Sequence, residues 1–295
     1  MKYKLLLMLF IAPTVVLSQS ITVSKTVSIS DLRNPKSVVD RNIPERPQNN
    51  KNTFVVIIAN EHYKNVGEVK YALNDGKIFY DYCNLTLGIP KENIHLVEDA
   101  TKNDIDYQIK WLGKIIQATD GKAKAIFYYA GHGIPDDNKK DAYLLPVDGY
   151  GTEVSTGCRL SDMYAYLGDL NAQMVLVLLD ACFSGAMRDG NMLVSARGVA
   201  IKTQPQTPKG NMVVISATKD DETAAPYDKE KHGLFTFYLL KKLQDTGGNV
   251  TLGDLSEYVT TEVKRNSVLV NGKSQTPSTN VSAQVGDSWK SWDLK

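Results

Sequence analysis

Two short motifs, each at the end of an apolar run, constrain this chain most. The run Ala125–Tyr129 leads into Gly131-His132-Gly133, and the run Met174–Leu179 leads into Asp180-Ala181-Cys182. Such runs are typical of buried parallel strands, whose carboxyl ends meet at one edge of a sheet. The sequence therefore predicts an imidazole and a thiol at the same edge, as a cysteine nucleophile and its proton carrier require.

Apolar runs alternate with amphipathic segments from Thr53 onward, which predicts an α/β fold with a mostly parallel sheet and helices on both faces. Strands are predicted at 53–59, 94–97, 125–129, 174–179 and 212–216. Helices are predicted at 72–87, from a cap at Thr101 and Asp104, and near 160–169, 233–244 and 251–266.

The amino terminus carries the pattern of a secretory signal. Lys2 and Lys4 precede an apolar run over 5–17, and small residues around Ser18 suit cleavage there. We expect residues 1–18 to be a signal peptide and the protein to be exported, to the periplasm or the exterior; the alternative is a disordered apolar tail. Residues 19–50 are polar and proline-containing, which predicts an extended leader or linker before a domain over 51–295.

The composition indicates an ordinary globular domain. The 295 residues are 42% hydrophobic and 23% charged, and the formal net charge of +1 argues against nucleic acid as a partner. After the first run no apolar stretch is long enough to span a bilayer, so no membrane insertion is expected.

Cys182 is the candidate nucleophile and His132 the candidate proton carrier. The backbone N–H groups of Gly133 and Cys182 are candidate oxyanion donors. Either residue alone is more often structural, so the indication comes from the pair. Three cysteines, Cys83, Cys158 and Cys182, leave one unpaired thiol, and a bridge between the first two stays open.

No metal site is predicted. His62, His95 and His232 are scattered without the spacing of zinc ligands, and His232 suits a loop or a helix cap.

Five pieces of the chain, over about 53–280, resemble the caspase-like cysteine peptidases, above all the prokaryotic caspase homologues, metacaspases and paracaspases. The pieces, in the order of that family, are Ala72-Leu73-Asn74-Asp75, Tyr129-Ala130-Gly131-His132-Gly133, Asp141-Ala142-Tyr143-Leu144-Leu145-Pro146-Val147-Asp148, Asp180-Ala181-Cys182-Phe183-Ser184-Gly185 and His232-Gly233-Leu234-Phe235-Thr236. The resemblance implies a caspase-like three-layer sandwich around a six-stranded sheet. It also implies a zymogen with a large-subunit-like part at 51–185, a processing loop at 186–210 and a small-subunit-like part at 211–295.

Specificity is inferred from charge. Caspases proper hold an acidic substrate residue with Gln at the position of Asp180, and Asp75 matches a second acidic pocket residue of metacaspases. Two carboxylates predict cleavage after Arg or Lys. Ala130 departs from the Ser that metacaspases often have there, so that pocket contact is missing. The alternatives are a solvated helix-start charge for Asp75 and a structural carboxylate for Asp180.

The long loop at 186–210 carries basic residues at which such an enzyme would cleave itself: Arg188, Arg197, Lys202 and Lys209. The alternative is a surface loop that no protease cuts.

The dyad chemistry requires no cofactor, and the resemblance raises calcium as an activator, because some metacaspases use it. Asp136, Asp137, Asp141 and Asp148 offer oxygen ligands but do not follow a calcium-loop spacing.

The sequence thus predicts an exported cysteine endopeptidase whose partners are protein or peptide substrates with basic residues. Two alternatives stay open: a catalytically idle binding domain, and another thiol hydrolase or transpeptidase on the same fold. Nothing in the sequence sets an oligomeric state.

Overall fold

The computed structural model describes residues 36–136, 141–184, 207–219 and 222–295. The predicted signal peptide and the first part of the leader, up to residue 35, lie outside the described residues. The strands are β1 (Thr53–Ala59), β2 (Ile94–Glu98), β3 (Lys124–Ala130), β4 (Gly133–Pro135), β5 (Ala142–Leu144), β6 (Cys158–Arg159), β7 (Met174–Asp180), β8 (Met212–Ser216), β9 (Pro226–Tyr227), β10 (His232–Gly233) and β11 (Ser278–Val281). The helices are α1 (Ala72–Asp81), α2 (Lys102–Ala118), α3 (Leu160–Gly168), α4 (Leu234–Thr246) and α5 (Leu252–Asn271). Each helix in the described ranges is too short or too polar to cross a bilayer.

The central sheet has six strands in the order β11-β8-β7-β3-β1-β2. All neighbours are parallel except β11, which runs antiparallel to β8. Val55 and Ile57 of β1 face one core, formed with α1, α4 and α5, whereas Val56 and Ile58 face a second core, formed with α2 and α3. Because a strand alternates its side chains between faces, this β-branched run is buried on both sides. The predicted three-layer sandwich is confirmed.

Local signals set several element ends as predicted. Thr101 and Asp104 form a reciprocal capping box at the start of α2. After α1, a single π-helical turn over Tyr82–Thr86 continues the chain to Gly88, whose φ of 66° ends the helical segment.

Two smaller sheets were not predicted, and both border the end of the main sheet where His132 lies. The first has the order β4-β5-β6, and the second pairs β9 with β10. Strand β4 begins at Gly133, directly after His132, and β10 leads without a break into α4. These short strands fix the loops that surround the carboxyl edge of the main sheet.

Residues 36–50, the last part of the expected leader, pack against the domain. Val39 is fully buried, and its carbonyl accepts a hydrogen bond of 2.9 Å from the Tyr82 hydroxyl. The Ser37 hydroxyl donates to the Glu230 carboxylate at 2.8 Å. The side-chain amide of Gln244 on α4 donates to the carbonyls of Val38 and Arg41. This stretch has almost no regular secondary structure, yet it belongs to the folded unit.

Candidate active site

The register of β3 against β7 places His132 and Cys182 at equivalent positions beyond the ends of two adjacent strands. Ala130, the last residue of β3, pairs with Asp180, the last residue of β7. The backbone N–H of Gly131 then donates to the Asp180 carbonyl at 3.3 Å, so the two chains leave the sheet together. His132 and Cys182 each follow two residues after this pair. The structure thus brings the two predicted reactive residues to the same edge.

His132 is held on its ring and on its main chain. Nε2 lies 2.8 Å from the carbonyl oxygen of Gly67, and because a carbonyl only accepts, Nε2 carries a proton. The backbone N–H of His132 donates to the Tyr63 hydroxyl at 2.8 Å, and the ring centroids of these residues are 4.7 Å apart. This arrangement fixes the ring orientation and places the Nδ1 side at the far end of the ring from Gly67.

Cys182 is covered by a segment that we call the strap, Glu222–Ala225. The Ala224 N–H contacts the thiol sulfur at an N–S distance of 2.6 Å, and Cys182 is 4% exposed. The Glu222 carboxylate holds one end of the strap, because it accepts from the Thr276 N–H and hydroxyl and from the Ser274 hydroxyl. The thiol therefore faces chain rather than solvent in this conformation.

Gly133 is needed for packing. A Cβ there would lie 2.4 Å from the Phe183 ring and 2.6 Å from the Cys182 carbonyl oxygen. Any side chain would push the two reactive loops apart. Glycine at this position therefore keeps its own N–H close to the Cys182 loop.

The two predicted pocket carboxylates are fully buried and bind the first turn of α4. Asp180 accepts from the Thr236 N–H at 3.3 Å and from its hydroxyl at 2.6 Å. Asp75 accepts from the Gly233 N–H at 3.0 Å. The N-terminal N–H groups of a helix have no partner within the helix and favour negative charge. Both carboxylates thus have a structural role at the start of α4.

His232 joins the leader to the same helix start. Its Nδ1 lies 2.7 Å from Asp75 Oδ1 and its Nε2 lies 2.8 Å from Asp40 Oδ1, with the imidazole fully buried. Burial alone would lower the pKa of His232, but the hydrogen bonds to Asp40 and Asp75 outweigh it and raise the pKa from 6.5 to about 9. The imidazole is therefore a cation at neutral pH.

The other cysteines are unsuited to nucleophilic attack, and the described residues contain no disulfide. Burial raises the pKa of the Cys83 thiol far above its usual range. Burial also raises the pKa of Cys158 to about 12, although Lys102 opposes the shift. Both thiols stay protonated at neutral pH and are poor nucleophiles.

The other two histidines each have a partner of their own. His62 pairs with Asp99 at the surface, and His95 stacks on Trp111 with ring centroids 3.7 Å apart.

The predicted self-cleavage residues lie mostly beyond the described part of the chain. Arg188, Arg197 and Lys202 fall outside it. Lys209 is exposed, and its backbone runs against Gly168 at the end of α3.

The acidic residues considered for calcium have separate partners. The Asp141 carboxylate pairs with Arg159, and Asp148 accepts from the Lys102 N–H at the start of α2. Asp136 bonds to the Asp141 carbonyl through its backbone, and Asp137 lies outside the described residues. In the described ranges, no three His, Cys, Asp or Glu side chains are grouped so as to hold a metal ion.

Three features of the site had not been predicted: the Tyr63 hydroxyl, the Gly67 carbonyl and the strap. Tyr63 and Gly67 lie in an irregular loop between β1 and α1, where neither periodicity nor a motif marks them. A backbone carbonyl carries no sequence signal at all. His232 lies in one of the five pieces that resemble the caspase-like family, next to Gly233, which caps α4. That position was the sequence signal that could have indicated its role.

The fold and the edge geometry define an α/β sandwich with a histidine and a cysteine at the ends of adjacent parallel strands. A family model described as the caspase domain matches residues 52–285. The chain belongs to this caspase-fold peptidase family. Caspase-1 from Spodoptera frugiperda, a solved structure, superposes with a TM-score of 0.54 at 14% identity, over 81% of this chain and 88% of that one. That likeness concerns the fold. No curated protein sequence matched.

The His232 cation predicts a pH dependence of stability. Its folded-state pKa, about 9, exceeds the unfolded value of 6.5, so its stabilising contribution is complete below pH 6.5 and is lost as pH rises through 9. The loss is on the order of 3 kcal/mol in the free energy of unfolding. Urea unfolding between pH 6 and pH 10 measures it.

His232→Gln should be less stable than wild type at pH 6 and should lack most of this slope. His95→Gln serves as the control. His95 lies on the edge strand β2 and stacks on Trp111 of α2. An unchanged slope in His232→Gln would show that other groups cause the pH dependence.

Proposed function

We propose that this protein is a cysteine endopeptidase in which Cys182 is the nucleophile and His132 the proton carrier. The observation that carries the proposal is the Ala130–Asp180 register, which delivers both residues to one sheet edge. The bond from His132 Nε2 to the Gly67 carbonyl supports it, because that bond selects the tautomer that keeps a lone pair on Nδ1.

The reaction follows from the chemistry of these groups. His132 takes the thiol proton, and the Cys182 sulfur attacks the carbonyl carbon of the scissile peptide bond. The backbone N–H groups of Gly133 and Cys182 stabilise the resulting oxyanion. His132 then gives its proton to the departing amine, which leaves a thioester on Cys182. Water, deprotonated by His132, hydrolyses the thioester and regenerates the thiol.

We propose cleavage after Arg or Lys, with Asp75 and Asp180 as the source of the preference. Three carboxyl groups, those of Asp40, Asp75 and Asp180, lie around the start of α4, where His232 is the partner of the first two. A carboxylate accepts several hydrogen bonds, so a substrate cation adds to the bonds from α4. An acidic substrate side chain would meet repulsion in a buried, weakly screened setting.

The enzyme is proposed to be made in a latent form. The contact between Ala224 and Cys182 supports this, because a substrate carbonyl cannot reach the sulfur while the strap covers it. Self-cleavage at Arg188, Arg197, Lys202 or Lys209 would cut the chain between Cys182 and the strap. Export through residues 1–18 belongs to the same proposal; no cofactor is required, and activation by calcium is an alternative that the assay below tests.

Cleavage of short peptides tests the proposal. Peptides that differ only in Arg, Lys or Asp before a reporter amide are incubated with the protein, with and without calcium. We expect Arg and Lys peptides to be cleaved at least about 100-fold faster than the Asp peptide, as two charge-assisted contacts allow. Cys182→Ala should abolish cleavage, whereas Cys158→Ala, a matched change at a buried thiol, should retain it.

Each alternative has its own outcome in this assay. Preferential cleavage after Asp would refute the assigned role of Asp75 and Asp180. A ligated product in place of the free acid would identify a transpeptidase. No turnover by any form of the protein would favour an idle binding domain.

The strap makes a separate prediction. Glu222→Ala removes the carboxylate that holds one end of it, so the strap should open more often and Cys182 should react with iodoacetamide about tenfold faster. Intact mass measured over time gives the alkylation rate. Cys83 and Cys158 should not react, because they are buried thiols with raised pKa values. Glu257→Ala, a change at an exposed residue of α5, is the control. Equal rates of Cys182 alkylation in the two variants would contradict the role of the strap in covering Cys182.

A further inference from the structure

The loop between β1 and α1 grips His132, and we call its Glu61–Val69 part the clasp. Its start is bonded to the body of the protein, and its end is bonded to its start. Asp99 accepts from the N–H groups of Glu61 and His62 at 2.9 Å each, and the Val69 N–H donates to the Glu61 carbonyl at 3.0 Å. In its middle, the Lys64 N–H donates to the Val147 carbonyl at 2.9 Å. The clasp is therefore a fixed platform and not a free loop.

Tyr63 of the clasp closes a ring of hydrogen bonds on His132. The Tyr129 hydroxyl contacts the carbonyls of His132 and Leu145 at 2.7 and 2.9 Å, so its proton points to them. Tyr63, 3.3 Å away, therefore donates to the Tyr129 oxygen and accepts the His132 N–H at 2.8 Å. The N–H of His132 is thus held by Tyr63, and its carbonyl is held by the Tyr129 hydroxyl together with the Leu145 N–H, which donates to it at 3.0 Å.

There is space for this ring of hydrogen bonds only because residue 131 is glycine. A Cβ on Gly131 would lie 2.6 Å from the hydroxyl oxygens of both Tyr63 and Tyr129. The glycine before His132 thus leaves space for the two tyrosine hydroxyls.

We infer that Tyr63 is a positioning residue that sets His132 for proton transfer at Cys182; the inference rests on the function proposed above. The hydroxyl fixes the main chain of His132, while the carbonyl of Gly67, in the same clasp, fixes the ring. The Tyr63 ring, with its centroid 4.7 Å from the imidazole, supports the cation that forms when His132 takes the thiol proton. One loop thus controls the position, tautomer and charge of the proton carrier.

Tyr63→Phe and Tyr63→Leu separate the two contributions. Loss of the hydroxyl alone should lower kcat about tenfold with KM within about twofold, because a shifted proton carrier slows chemistry without weakening substrate binding. Loss of the ring as well should lower kcat about 100-fold. Tyr107→Phe and Tyr107→Leu, at a tyrosine on α2 that is 64% exposed, are the matched controls and should keep wild-type kinetics.

A second measurement does not depend on activity. The chain has four histidines, so protein labelled with ¹⁵N-histidine gives four backbone amide signals, and His132→Asn identifies the one of interest. The His132 amide should exchange with solvent about tenfold faster in Tyr63→Phe than in wild type, because it loses its acceptor. The exchange rates of the His95 and His232 amides, which lie outside the clasp, should not change.

The two measurements separate this inference from the proposed function. A fully active Tyr63→Phe protein overturns the positioning role, and so does an unchanged exchange rate at His132. If the protein stays inactive even when Glu222→Ala opens the strap, and exchange at His132 is faster in Tyr63→Phe, the proposed function is refuted while the hydrogen bond from His132 to Tyr63 is retained.

Discussion

The parallel pairing of β3 with β7 is the constraint on which the rest of the site depends. Both strands are buried on both faces by β-branched, aliphatic and aromatic side chains, so their register is fixed by two cores at once. A shift by one residue would exchange the two faces of a strand and would also move His132 away from Cys182. The apolar runs before each motif therefore do more than hold the fold, since they set the alignment of the reactive groups.

A second constraint is the start of α4, which is held by the same carboxylates that are proposed to set the specificity. Asp75 and Asp180 bind the N-terminal N–H groups of this helix, and the His232 cation links Asp75 to Asp40 of the leader. Removal of either proposed pocket residue would also loosen α4. Activity changes in such variants are therefore interpretable only beside measured stabilities, and the leader contact makes residues near Asp40 relevant to the site.

Local sequence signals predicted the fold well, and long-range contacts account for what they did not predict. The capping box of α2 and the strand ends before His132 and Cys182 depend on residues that are close together in the sequence, so they could be predicted. The pairing of Ser37 with Glu230 spans 193 positions, and no periodicity encodes it. The short strand β11, which is only partly buried, also has too weak a pattern to be detected.

The proposed nucleophile is tested most directly by a substrate-like reagent that modifies it covalently. Peptidyl acyloxymethyl ketones ending in Arg or Asp are added to Glu222→Ala protein, and the modified residue is mapped by mass spectrometry. The account predicts one label per chain, on Cys182, with the Arg reagent reacting much faster than the Asp reagent, and with little reaction in Glu222→Ala protein that also carries His132→Ala. A label on Cys158 or Cys83, or none at all, would contradict the assignment of Cys182 as the nucleophile.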